Sequence, residues 1–453
     1  MAEGIRLEDE VERIRLEVKV GDLRSLRRYF NEKHPAEIAH LLSFLREEHQ
    51  ERIFSNILDD ETIAELAGFI DEYRYLVLLF KRMRVKRLVR ILELMPSDDR
   101  VDLLDEFKAR RVNRLLDLLS QEDAEETRQL LSYPDDVAGG IMSAEFVTAD
   151  ELETAEDALE RVRCLKGQVE TLYNIYVITE DGRLIGVVSL AEVLVADSST
   201  TIGEIMNPDV IQVNASDDQE LVADLVTNYD LSAIPVVDDA GRIAGIVTVD
   251  DVIDVIRDEA TEDTYRMAGI TEPDVEPREI FDIGARARHR LPWLFVTLSG
   301  GVLAGTVLNL FEDVLQVAIG LAYFVPLVMG MGGNVGTQAS ALVIRGLALG
   351  RLDQGRITRF ILNQARVGAT LGAVFGAIVA AMATLWHGNS TIGGVVGGAM
   401  FVDLIWSATI GSLLPILFDK LGMDPATASG PIITTMNDSI ALLIYFGLAA
   451  AFT

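Results

Sequence analysis

Two stretches in the C-terminal third combine apolar residues with groups that hydrocarbon cannot satisfy. One reads Pro326-Leu-Val-Met-Gly-Met-Gly-Gly-Asn-Val-Gly-Thr-Gln338, the other Asp424-Pro-Ala-Thr-Ala-Ser-Gly-Pro-Ile-Ile-Thr-Thr-Met-Asn-Asp438. Glycines, a helix-breaking proline, amides and carboxylates survive in a bilayer only where they face protein or a water-filled path. Their chemistry is that of an ion pathway, and the acids select a cation.

Asp438 is the sharpest of these residues. A last span predicted over 427–452 puts it about twelve residues in, roughly 18 Å along a helix at 1.5 Å per residue, near mid-membrane. A charge there costs roughly 2.5–3.5 kcal/mol on insertion scales, which disfavours a lipid-facing position. Thr434 lies one turn earlier and shares its face. Pro431 cannot donate the hydrogen bond normally made to the carbonyl of Thr427, which is expected to free an oxygen for a hydrated ion. Asn437, adjacent to Asp438, points elsewhere on a regular helix. Gly330, Gly333 and the rest of the run to Gly336 disfavour regular helix and are expected to expose carbonyls, with Asn334 and Gln338 four apart on one face. Asp403, beside Trp406 and Ser407, is a further intramembrane acid, equally compatible with ion handling and with a hydrogen bond to a neighbouring helix.

On the polar side of the chain, acids recur at helical spacing. Asp254, Asp258 and Glu262 fall every four residues, flanked by Glu259 and Asp263, with Asp250, Asp251, Glu220 and Asp230 on the preceding module. Asp98, Asp99, Asp102 and Asp105 form a further group, and Asp424 heads the second pore-like segment. Like charges four apart on a helix repel by a few tenths of a kcal/mol per pair unless a divalent ion bridges them. A solvated acidic face is the plain alternative.

Composition sets the context. Lys and Arg number 40 against 71 Asp and Glu, for a net charge of −31. From His289 onward seven basic residues face seven acids, so the whole imbalance precedes it. Such acidity excludes nucleic-acid binding, which needs clustered Lys and Arg. It fits cation attraction, solubility or a high-salt habitat. A single cysteine, Cys164, rules out an intrachain disulfide and a Cys-based metal site. The N-terminal residues lack the apolar core of a signal peptide, so the acidic part is expected in the cytoplasm. No nucleophile–base pair or phosphate-cradling motif stands out, so no enzyme is expected.

The elements that must position these residues are legible from periodicity. Residues 1–135 read as short amphipathic helices, with Ile38, Leu41, Leu42 and Leu45 on one face after Pro35, and predict a superhelical all-α domain. Residues 136–257 are duplicated: Asn174–Val193 aligns with Ala233–Val252, each predicting strand, turn, strand and helix, after Ile141-Met142 and Ile205-Met206 respectively. A connecting helix runs through 250–268 out of the second copy, and the 258–290 segment carries its end and a polar stretch into the membrane at Arg286, Arg288 and Arg290. Five spans are predicted in 291–453, at 291–311, 314–333, 367–386, 392–418 and 427–452. Arg345, Arg351, Arg356, Arg359 and Lys420 sit on the loops of one side, which places the N-terminus inside and the C-terminus outside a cell (inner or plasma) membrane. Gly301/Gly305 and Gly368/Gly372/Gly376 predict close helix packing.

The doubled pattern resembles a tandem pair of CBS domains. The acidic helical domain, the CBS pair, the long helix and the five spans together resemble the MgtE family of magnesium channels over nearly the whole chain. That resemblance implies a multidomain membrane protein: an all-α superhelical N domain, an α+β CBS pair, a long connecting plug helix and an all-α five-span membrane domain. It further implies a homodimer with the pore at its interface. Asp438 matches the family's pore carboxylate and Asn334 the asparagine of its glycine-rich pore segment. Asp230, Glu220, Asp251, Asp254, Glu259, Glu262 and Asp263 fall on the acids with which the family senses cytosolic Mg²⁺, and Asp98 and Asp102 are the matches in the N domain. Some members bind ATP between CBS copies. Thr248-Val-Asp250 keeps the ribose-binding pattern here, but Ala191 and Leu231 stand where an arginine and an aromatic would help, which counts against ATP. Influx of Mg²⁺, shut by Mg²⁺ inside, is the expected function. A secondary transporter or exporter of Mg²⁺, Co²⁺ or another divalent ion is the first alternative, and a CBS-based membrane nucleotide sensor without transport is the second.

Overall fold

The structure, a computed structural model, describes residues 2–21, 23–70, 73–165, 169, 171–270, 283–348, 352, 355–428 and 430–452. Residues 271–282 on the approach to the membrane, the side chain of Arg286 and the whole of Arg351 lie outside them. The chain divides into two units, Met1–Asp258 and Glu259–Thr453.

The first unit opens with short helices from Ala2–Val20 to Gln121–Leu130. Their apolar stripes meet in one core that includes Ile38, Leu41, Leu42, Phe54 and Phe80, as the spacing predicted. Two matching sheets follow. In the first, β1 (Val147–Asp150) pairs parallel with β2 (Asn174–Ile178), and β2 pairs antiparallel with β3 (Leu184–Ser189). The second repeats this with β4 (Val213–Asn214), β5 (Ala233–Val237) and β6 (Ile243–Thr248). The register shifts at the same place in both copies, Val177/Ile178 and Val236/Val237. Gly182 and Gly241 make the two hairpin turns at φ of 80° and 76°, a backbone region that a side chain resists. The copies clasp each other. Leu184 N donates to Gly241 O and Ile243 N to Gly182 O, at 3.1 and 3.2 Å. Met142 of one copy lies over Gly245 of the other, and Met206 over Gly186. The duplicated Ile-Met pairs therefore act as reciprocal anchors.

The connecting helix spans Val249–Met267, with Val252 and Val255 buried against the second sheet's core. Among the described residues, five helices of the second unit are long and apolar enough to cross a membrane. They begin from Ile283–Leu310, Val325–Ala348, Ile357–His387, Ser390–Lys420 and Gly430–Phe452.

Several predicted boundaries move. The second span was expected over 314–333, but a short helix at Glu312–Val317 and a 3-10 turn at Ile319–Phe324 precede it, and the long helix starts at Val325. The Gly330–Gly336 run is continuous α-helix, because buried packing overrides the low propensity of glycine. Gly368, Gly372 and Gly376 do let the third and fourth spans touch: a Cβ on Gly372 would lie 2.8 Å from Phe401 O, and one on Gly376 2.7 Å from Gly397 O. Among the described residues nothing packs against the open side of Gly301 or Gly305, and both are exposed.

Candidate functional site

Three groups of polar residues emerge, each built by its own elements. The first lies within the first unit. The helix Ser97–Asp105 starts after Pro96, and Asp98 and Asp99 occupy its first turn, where exposed N–H groups favour acids. Ser97 is fully buried and its Oγ accepts from Ala144 N at 2.8 Å, tying this helix end to the duplicated module. Opposite stands the start of the connecting helix, whose spacing of one, three and four residues puts Asp250, Asp251, Asp254 and Asp258 on adjoining faces. Together with Asp98, Asp99 and Glu65 they line a cavity of about 330 Å³ that also admits Arg257. Gly68 lets Asp99 approach closely: a Cβ there would sit 3.3 Å from Asp99 Oδ2.

Six aspartates and a glutamate facing one cavity disturb one another. Burial, opposed by backbone hydrogen bonds and joined by the charge of Asp250, raises the pKa of Asp98. Asp251 is pushed up to about 7 by burial and by Asp98, although Thr248 Oγ1 donates to its Oδ2 at 2.6 Å. That bond fixes the fate of the Thr248/Asp250 pair: Thr248 is buried and committed to Asp251, while Asp250 faces the acidic cavity. A separate cavity of about 510 Å³ lies in the CBS pair, bounded by Tyr173, Asn174, Ser189, Ala191, Leu194 and Ser232.

The remaining acids of the first unit scatter. Asp102 is exposed one turn beyond Asp98. Glu220 and Asp230 stand at opposite ends of Gln219–Tyr229, Asp230 as its left-handed cap at φ 52°, roughly 15 Å apart at 1.5 Å per residue. They cannot hold one ion in one chain.

The second group lies in the second unit, at the end of the connecting helix. Arg266 bridges Glu262 and Asp424. Burial first, then Asp424 and Glu259, against the opposing Arg345, pushes Asp263 up to about 6. Asp424 Oδ1 also accepts from Ala426 N at 2.7 Å, which shapes the turn before the last span. The helix end touches that span: a Cβ on Gly269 would lie 2.8 Å from Pro431 Cγ, and one on Gly430 2.6 Å from Met267 O. Arg266 as the organiser is not evident in the sequence, where it is one of two arginines, with Arg257, in the acidic run.

The third group is intramembrane. The last helix begins at Gly430, so Pro431 occupies its first turn, where no intrahelical N–H is required. Thr427 belongs to the preceding 3-10 turn at Pro425–Ala428, so Pro431 frees no carbonyl within a helix, contrary to expectation. Asp438 consequently sits eight residues from the helix start, roughly 12 Å along the axis, shallower than predicted. Its side chain is half-buried, as is that of Thr434, while Gly330 and Asn334 on the second span are exposed at the surface of the unit. The second and fifth spans pack together, and a Cβ on Gly333 would lie 3.4 Å from Thr434 Cγ2. A polar seam thus opens on the outside of the five-helix unit. Behind it Asn437, fully buried, donates to Gly332 O at 3.4 Å. Among the described residues no three His, Cys, Asp or Glu side chains converge tightly enough to hold a bare metal ion.

Comparison with known proteins follows this division. Residues 325–448 match the family model of a divalent cation transporter, residues 33–136 the MgtE intracellular N domain, and residues 137–199 and 202–258 the CBS domain. The magnesium transporter MgtE of Bacillus subtilis is 35% identical over all of this chain and 99% of its own. That of Thermus thermophilus is 37% identical over 95% of each. The crystal structure of the soluble part of a magnesium transporter is 34% identical, covering 56% of this chain and 99% of its own at a TM-score of 0.52. The cytosolic domain of the Mg²⁺ channel MgtE in complex with ATP is 38% identical, covering 54% and 99% at the same TM-score of 0.52.

Proposed function

Because the chain belongs to the MgtE family of magnesium transporters, we propose that it is an Mg²⁺ channel carrying the ion into the cell and closing when cytosolic Mg²⁺ is plentiful. The observation that carries this reading is the polar seam of Gly330, Asn334, Thr434 and Asp438, backed by the buried Gly333 and open on the outer surface of an otherwise apolar five-helix unit. A lone chain would present that seam to lipid, so a second copy covers it and the two together enclose the pore. Mg²⁺ sheds water reluctantly. The two Asp438 carboxylates hold it through its waters, and the ion in turn relieves their mutual repulsion. On this reading the N-terminus is cytoplasmic and the C-terminus outside.

Closure uses the acids of the other two groups. Mg²⁺ bridging Asp98, Asp250, Asp251, Asp254 and Asp258 replaces repulsion by attraction, and Asp263, Glu259, Glu262 and Asp424 do the same at the far end of the connecting helix. Glu220, Asp230 and Asp102, being exposed, meet acids of the second copy or bulk ion. Gating needs only that Mg²⁺ bind the closed state better. With the ion absent, like charges part the elements and the pore opens.

ATP in the CBS cavity is a second reading, favoured by the ring of Tyr173 at its wall and by the relative crystallised with ATP. Tyr173→Ala should then weaken nucleotide binding measured by calorimetry, and an unchanged heat would remove the nucleotide from that cavity.

The test of the main reading is Mg²⁺ uptake into proteoliposomes by the intact chain and by one lacking residues 1–270. The intact chain should conduct only when Mg²⁺ on its cytosolic side is low, the shortened one regardless. Equal dependence on that Mg²⁺ would reject the sensor; no uptake by the intact chain would reject transport.

A further inference from the structure

Asp403 is fully buried on the fourth span, and neither of its carboxyl oxygens is engaged in a hydrogen bond among the described residues. Ser407 Oγ and Asn437 Oδ1, both on fully buried residues, are equally without a partner. The Asp403 carboxyl and the Ser407 hydroxyl meet at Gly332, where a Cβ would lie 2.5 Å from Asp403 Oδ2 and 3.0 Å from Ser407 Oγ, and the Asn437 amide reaches the same residue through Nδ2, which donates to Gly332 O. Glycine keeps that space open to polar atoms, one residue behind the Gly333–Thr434 contact of the seam.

An ionised carboxylate here would be stranded. Of the ionisable groups on elements packed against the fourth span, Arg345 lies at the far end of the second span, about 20 Å along its axis from Gly332. Arg366 on the third is exposed and bonded to Asn363 at 3.1 Å. Arg359 and His387 stand near that span's ends, and Asp424 and Tyr323 flank the adjoining turns. On the last span Tyr445 donates to Leu321 O, and Asp438 brings negative charge. The fourth span's own Asp419 and Lys420 lie at its terminus. None supplies a cation to Asp403. Mg²⁺ does not suit the group, since it demands octahedral oxygen or water ligands around it. One carboxyl, one hydroxyl and one amide oxygen suit a single proton, given by the acid to Ser407 or Asn437.

We propose that Asp403, Ser407 and Asn437 form a buried proton-binding site in which the Asp403 carboxyl is held as the neutral acid behind the pore face. The site itself stands apart from the transport reading. Its consequence rests on that reading: Mg²⁺ at Asp438 favours loss of the proton, and by reciprocity the proton weakens Mg²⁺ binding.

Infrared difference spectroscopy on the full chain in lipid vesicles at neutral pH tests the site directly. A carbonyl band of an unionised carboxyl group should be lost in the difference between the unaltered chain and Asp403→Asn, the absorption of Asp251 and Glu145 cancelling, and should shift in frequency without being lost in Ser407→Ala. The Ser407→Ala variant keeps the test alive should Asp403→Asn misfold. A spectrum unchanged by either substitution overturns the proposal, as does a band that emerges only on withdrawing Na⁺, which would mark a sodium site instead. In uptake assays, the half-saturating Mg²⁺ concentration should fall severalfold from mildly acidic to mildly alkaline pH, and less steeply in Asp403→Asn. Equal slopes overturn the coupling. Failure of uptake in every protein, with the band intact, rejects transport and leaves the site standing.

Discussion

The two units bury charge in opposite ways. In the first, Arg100 is 2% exposed, yet it has Asp123 at 3.3 Å, Glu145 at 3.7 Å and Glu126 at 4.0 Å. In the second, Asp403 is 0% exposed and its carboxyl oxygens have no partner among the described residues. Water and counter-charges are plentiful around the acidic unit, so its charges can be crowded and left to repel. Within the spans Asp403 has no such counter-charge among the described residues, and Gly332 leaves room for its carboxyl. On the proposed reading, crowding makes a surface that responds to a divalent ion, and isolation makes a place through which one ion passes or one proton stays.

Four perturbations sharpen that contrast, beginning with the largest effect. Gly376→Leu should separate the third and fourth spans, since even a Cβ would lie 2.7 Å from Gly397 O. Overpacking of this kind costs roughly 1–3 kcal/mol or more and should show as a lower melting temperature in detergent, with the acidic unit still intact by proteolysis. Next, Asp98→Asn with Asp251→Asn should raise the cytosolic Mg²⁺ needed for closure by at least about tenfold, roughly 1.4 kcal/mol, without lowering the open flux. An unshifted closing concentration would remove the cavity from the sensor.

The third perturbation is pH. Asp251 is pushed up to about 7 by burial and by Asp98, and Glu145 up to about 7 by burial, against the pull of Arg100. Both values are raised above those of the unfolded chain, so the stability they contribute is complete below the ordinary carboxylate range. It is lost as pH rises through about 7. Without Mg²⁺, the melting temperature of the full chain should fall between about pH 5 and about pH 8, and added Mg²⁺ should restore more at the higher pH. A flat profile would mean that the cavity acids are already relieved. The smallest effect belongs to Gly301→Ala, which faces open space within the chain. It should change folding stability by no more than about 0.5 kcal/mol. A large loss of function with normal folding would place Gly301 at the contact between copies.

Legibility differed between the units for physical reasons. The duplicated strands, the short helices and the number of spans all follow from periodicity and hydropathy, which are local. Span boundaries were less legible: residues 314–324 read as the start of one continuous helix but form the end of a short helix and a 3-10 turn, the turn still lying within the apolar stretch Ile319–Ala348. The glycine run reads as helix-breaking until its partners are known, because the close approach of Gly336 to Gly411 and of Gly332 to Asp403 rewards the helix. Pro431 reads as a kink in mid-helix and proves to be a start. The acids at helical spacing were visible, but which of them share a cavity was not. That depends on Asp98 and Asp251, far apart in the chain, meeting in space. Asn437 reads in the sequence only as pointing away from Asp438, and burial, complete for Asn437 and partial for Asp438, distinguishes the two faces.

Mg²⁺ flux through Asp438→Ala and Asp438→Glu, reconstituted in proteoliposomes with no Mg²⁺ inside or out beyond the applied gradient, tests the central claim most directly. The alanine protein should fold normally and pass little or no Mg²⁺, with the glutamate protein keeping a measurable part. Flux equal to that of the unaltered chain in the alanine protein would show that the ion takes another path.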